Sequence, residues 1–111
     1  MLLVRGTASG AGLTGTLYEP GEEPPSFSGA PDEGSPYVWV CDALYEVESG
    51  GRAQQLGDRE IRVAFESPAP RGFEMRESAL AAAKEHVRTQ FARLGVDSAD
   101  VTVTVTQEER V

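Results

Sequence analysis

Cys41 and His86 are the only cysteine and the only histidine of the chain, so nucleophilic chemistry at neutral pH would have to start from them. A thiolate activated by an imidazole is an effective nucleophile, and Asp42 or a helical glutamate could orient the ring. The structural reading competes with this. Cys41 ends the run Tyr37-Val38-Trp39-Val40-Cys41, where a lone cysteine behaves as a small buried hydrophobe. His86 falls on the flank of an amphipathic helix, a position that suits a half-exposed ring. Cys41, Asp42, Glu46, Glu48 and His86 could also be gathered into a metal site. However, no CxxC or HExxH spacing is present, and Glu46 and Glu48 read as the solvent face of an alternating strand. Glycines fall at turns, and neither GxxxxGK nor a strand-borne GxGxxG occurs, so no phosphate cradle opens a helix. No metal and no cofactor is expected.

The other residues able to form a site are aromatic. Tyr37, Trp39 and Tyr45 share a face if their strand runs unbroken, although a bulge or bend at Asp42 would alter that. Phe27 lies alone in the stretch from Pro20 to Pro36, which is rich in proline, glycine and acidic residues. Such a connection is long for a compact domain and reads as an ordered lid pinned by Phe27, in preference to a free spacer. Phe27, Tyr37, Trp39, Cys41, Tyr45 and His86 are therefore the candidate interaction or pocket residues. Core packing is the default for the aromatics, and an interface comes next.

These residues must be positioned by short strands and one helix. Leu2 to Arg5 and Leu13 to Tyr18 alternate as strands, with "GTASGAG" between them as a hairpin connection. After the Pro-rich loop at 20–36 the chain is extended again, bends at Asp42 and resumes at Leu44 to Glu48. Gly50-Gly51 and Gly57-Asp58 bracket a short edge strand at Arg52 to Leu56. Glu60 to Glu66 then directs Ile61, Val63 and Phe65 to one side. "SPAPRGF" interrupts the sheet pattern. From about Met75 to Leu94 the spacing becomes helical, with Leu80, Ala83, Val87, Phe91 and Leu94 on one face and Gly95 as the stop. "DVTVTVTQ" closes the pattern with Val101, Val103 and Val105 inward and threonines outward, followed by a polar tail at 107–111.

The expected fold is a single α+β domain over 1–111. It has two layers: a mainly antiparallel sheet of five or six strands with one amphipathic helix on one face, in the order ββ-loop-βββ-α-β.

The composition narrows the function classes. Eighteen carboxylates against ten basic residues give a net charge of −8, and nine of the ten basic residues are arginine. Phosphate backbones and anionic membranes would be repelled, so neither nucleic acid nor membrane is an expected partner. No segment approaches the ~20 apolar residues of a membrane helix. "MLLVRG" is shorter than the apolar region of a signal peptide, so a cytoplasmic location is expected. Dense carboxylates with almost no lysine and no asparagine suit a GC-rich gene and a salty cytosol, where acidic side chains keep the surface hydrated; an ordinary acidic protein of a GC-rich bacterium is the competing explanation.

The stretches "GAPDEGSPYVWVCDALYEVESGG" and "REIRVAFESPAPRGFEMRESALAAAKEHVRTQFARLGV" resemble a small family of uncharacterised haloarchaeal proteins. The resemblance implies a cytoplasm rich in potassium chloride and carries over no catalytic residue, ligand or partner. No biochemical activity is specified by these residues. The leading expectation is a non-enzymatic cytosolic interaction module adapted to high salt, forming a homodimer through a sheet face or edge. The alternative is a small-molecule binder or enzyme using a pocket between the loop around Phe27 and the Trp39 strand.

Overall fold

In the computed structural model, whose described residues are 1–21, 36–66 and 70–107, the N-terminal alternation becomes a long hairpin. Its strands β1 (Leu2–Ala8) and β2 (Ala11–Tyr18) pair antiparallel from Leu2 opposite Leu17 to Ala8 opposite Ala11. Only Ser9 and Gly10 turn the chain, both at positive φ (51° and 85°), as a tight two-residue hairpin requires. The connection is thus shorter than "GTASGAG", because Gly6 and Gly12 are strand residues whose missing side chains make room for neighbours. A Cβ on Gly6 would overlap the Val87 methyl and sit 3.1 Å from Phe91, both on the helix above.

The remaining elements are β3 (Tyr37–Val40), β4 (Ala43–Val47), β5 (Arg52–Leu56), β6 (Arg59–Glu66), β7 (Arg71–Phe73), α1 (Arg76–Arg93) and β8 (Thr102–Gln107). They make two antiparallel sheets, not the one expected: a five-stranded sheet in the order β7-β3-β2-β1-β8 and a three-stranded sheet in the order β4-β6-β5. The bend foreseen at Asp42 is the point where the chain leaves the first sheet for the second. Alternation reports which face a residue takes, but not which sheet its strand joins. The α+β class and the antiparallel pairing hold. The strand count rises to eight among the described residues, partly because "RGF" within the supposed break pairs with β3.

Helix α1 lies on one face of the larger sheet and buries Ala79, Ala83, Val87, Gln90 and Phe91. Its backbone ends at Leu94, and Gly95 leaves it at φ +83°. Arg59 Nη2 on β6 donates to the Leu94 carbonyl at 2.7 Å and so caps the negative end of the helix. Leu2, Val4, Leu13 and Leu17 from the hairpin, Leu44, Ile61 and Val63 from the smaller sheet, and Val87, Phe91 and Leu94 from the helix form one continuous core. Two residues expected inside lie outside it: Phe65 is 46% exposed and Val105 39%. Phe65 sits next to the end of β6, and Arg52 stacks on its ring at 4.8 Å. Val105 belongs to β8, an outermost strand of its sheet.

Candidate functional site

Trp39 organises the region where the helix meets β3. Its residue partners Arg71 across β3 and β7, and Leu17 across β3 and β2. The indole is 2% exposed and lies over Gly15, where a Cβ would overlap the ring and come within 2.7 Å of Cys41 Cβ. Glycine at this inward position, between Leu13 and Leu17, is what admits a tryptophan to the core. His86 meets the indole edge-on, with ring centroids 5.8 Å apart and planes at 74°. The Trp39 Nε1 hydrogen-bond donor is buried without a partner among the described residues.

His86 Nε2 lies 3.1 Å from the Asp42 carbonyl oxygen. A carbonyl can only accept, so Nε2 carries the proton and donates, and Nδ1 is left as the basic nitrogen. Burial holds the imidazole pKa below its ordinary value. The hydrogen bond to Asp42 acts in the opposite direction, and the charges of Arg71 and Arg93 lower the pKa further. Cys41 is buried on the core side. Desolvation, with a smaller contribution from the Asp42 charge, pushes its thiol up to about 12, so at neutral pH it is a protonated packing residue and not a nucleophile. No hydrogen bond joins it to His86 among the described residues. Nor do three or more histidine, cysteine, aspartate or glutamate side chains converge there as metal ligands.

His86 opens instead onto a cleft of about 480 Å³ between α1, β4 and β7, lined by Ala43, Tyr45, Arg71, His86, Thr89 and Arg93. Gln90 forms its floor. This glutamine is 2% exposed and ties the helix to the edge of β4: its Oε1 accepts from Leu44 N at 3.0 Å and from Arg93 Nη1 at 3.1 Å, while its Nε2 donates to the His86 carbonyl at 3.2 Å. The Arg93 guanidinium stacks on Tyr45 at 4.9 Å, and Arg71 on Phe73 at 5.2 Å. Glu85 also lines the cleft.

Of the six candidates read from the sequence, Tyr45 and His86 meet at this cleft, and Trp39 supports it from within. Tyr37 is half-buried and packs on the core, and Cys41 belongs to the core itself. Phe27 lies outside the described residues, as does most of the loop at 20–36, and with them the loop side of the pocket envisaged beside Trp39. Sequence reasoning passed over Arg71, Thr89, Gln90 and Arg93. The helical three were detectable, since His86, Thr89, Gln90 and Arg93 recur at the i, i+3, i+4, i+7 spacing of one helix face. Arg71 carried no signal, because its strand has three residues.

A second feature lies at the far edge of the same sheet. β8 reads TVTVTQ, with neither charge nor proline, and among the described residues only its β1 side is paired. Val103 is half-buried, Val105 is exposed, and both lie where α1 gives little cover.

A family model described as a family of unknown function, DUF7113, matches residues 1–107. No curated protein and no solved structure matches the chain.

Proposed function

The chain belongs to DUF7113, a family of unknown function, and from that premise we propose a non-enzymatic, self-associating cytosolic module suited to high salt. The open edge of β8 is the observation that supports self-association. A strand of six uncharged residues whose outer edge has no partner among the described residues is a template for another strand, and soluble proteins usually blunt such edges with lysine, proline or a bulge. A second copy pairing β8 antiparallel about a two-fold axis satisfies both rows of backbone groups and places Val103 and Val105 against their counterparts. The two five-stranded sheets then run on as one, with both helices on the same side. The high-salt reading rests on the net charge of −8 and the near absence of lysine.

Sedimentation velocity or light scattering in about 2 M KCl tests this, since screening at that ionic strength removes long-range repulsion between acidic copies. The expected result is a dimer that Val105→Lys converts to a folded monomer, because a charge at this edge cannot be buried without a partner. A wild-type chain that stays monomeric at every concentration, or a Val105→Lys dimer of unchanged affinity, would overturn the reading.

A further inference from the structure

We propose that the cleft between α1, β4 and β7 is a binding site for a small phosphate monoester, with the phosphate held between Arg71 and Arg93. Two guanidiniums reach it from separate elements. Arg71 stands opposite Trp39 in the β3–β7 register, so it leaves its strand on the helix-covered face of the sheet. Arg93 comes from the last turn of α1, steadied by the Tyr45 ring beneath it and by one hydrogen bond to the buried Gln90.

A guanidinium carries five N–H donors. Arg93 uses one on Gln90, and among the described residues Arg71 has its ring stacking but no hydrogen bond, while neither arginine is ion-paired to a carboxylate. Among the described residues, then, two arginines directed at one cleft have donors left for something else. The electrostatics agree, since both positive charges bear on the His86 ring. Among the described lining residues Glu85 is the one carboxylate, so that lining is net cationic in a chain of net charge −8.

Geometry selects the ligand class. A carboxylate offers two oxygens in one plane and suits one guanidinium fork. A phosphate monoester offers three terminal oxygens in different directions and can engage two forks from two sides. The cleft is also larger than a bare anion needs, and Ala43 and the Tyr45 ring offer apolar surface to an organic body. The Thr89 hydroxyl adds a neutral donor. Since β7 and β8 are opposite edges of the five-stranded sheet, pairing at β8 leaves this site open, and the two proposals stand or fall separately.

Trp39 supplies the readout, being the only tryptophan and in ring contact with a residue that lines the cleft. The full chain is titrated with phenyl phosphate, benzoate and inorganic phosphate at constant ionic strength set with potassium chloride, and indole emission is followed. The expected result is saturable binding of phenyl phosphate, tighter than that of either other anion. Arg71→Gln and Arg93→Gln should each weaken it about tenfold or more, the loss of a charge-assisted pair. Arg52→Gln, whose guanidinium stacks on Phe65 in the other sheet, should leave affinity within about twofold. Arg71→Gln, on an exposed edge strand, keeps the test available if loss of Arg93 disturbs folding. Absence of saturation with all three anions, benzoate binding as tightly as phenyl phosphate, or full affinity in Arg71→Gln would each overturn the assignment.

Discussion

Single side chains here are set by what surrounds them more than by their own chemistry. Cys41 is the clearest case, because the only thiol lies against the Trp39 support and its pKa is pushed up to about 12 by desolvation. Two consequences follow. In the native protein at pH 8 the thiol should resist iodoacetamide and react only in denaturant, a difference that mass spectrometry reads directly; rapid native alkylation would contradict the burial. A thiol that keeps its proton longer when folded stabilises the fold fully below its ordinary pKa of 9.0, and that contribution is lost as pH rises toward about 12. His86 runs the other way. Its lowered pKa favours the fold above about pH 6.5, and the benefit is lost on acidification. The sequence already placed these residues on a buried strand and a helix flank. It did not disclose that Gln90, a polar residue 2% exposed, would tie the helix to β4 through Leu44, because a buried glutamine is recognised only by the backbone group it satisfies.

At the level of elements, the close approach of α1 to the hairpin depends on Gly6. With Val87 and Phe91 fully buried above it, an added methyl at Gly6 has nowhere to go. Gly6→Ala should therefore destabilise the protein by about 1–3 kcal/mol, measured by chemical denaturation, while Gly10→Ala strains only the exposed turn. An unchanged midpoint in Gly6→Ala would mean that the helix does not pack as described. The helix itself was legible from its spacing to within a residue at its start, and Gly95 marked its end as expected. The strand faces were legible too, but not the cover over every position of a face. Leu2, Val4, Ile61 and Val63 are inside as the alternation requires. Phe65 and Val105 follow the same alternation and are exposed, because a strand position is buried only where something lies across it. β7 went unread because three residues beside two prolines carry no periodicity.

For the molecule as a whole, charge density is the property with the largest reach. Eighteen carboxylates repel one another in dilute buffer, and screening relieves that cost. The thermal midpoint should therefore rise by several degrees between about 0.1 M and 2 M KCl, as circular dichroism would record; a midpoint that fell would remove the case for a salt-adapted surface. The N-terminal amine, Glu19 and Gln107 also meet at one corner, where Glu19 Oε1 accepts from the amine at 3.2 Å and from Gln107 Nε2 at 2.8 Å, so β1, β2 and β8 are laced together at a single point. The path between the sheets has a further consequence. The smaller sheet, β4 to β6, is one uninterrupted excursion inserted between β3 and β7, and Trp39 and Arg71 at its two feet are cross-strand neighbours. An excursion that departs and returns at adjacent points can be lengthened, shortened or exchanged without redrawing the main sheet, provided that the burial supplied by Leu44, Ile61 and Val63 is replaced. Ala43 and Tyr45 travel with it while Arg71 and the helix stay, so one wall of the cleft is free to diversify while its guanidinium pair keeps a common grip.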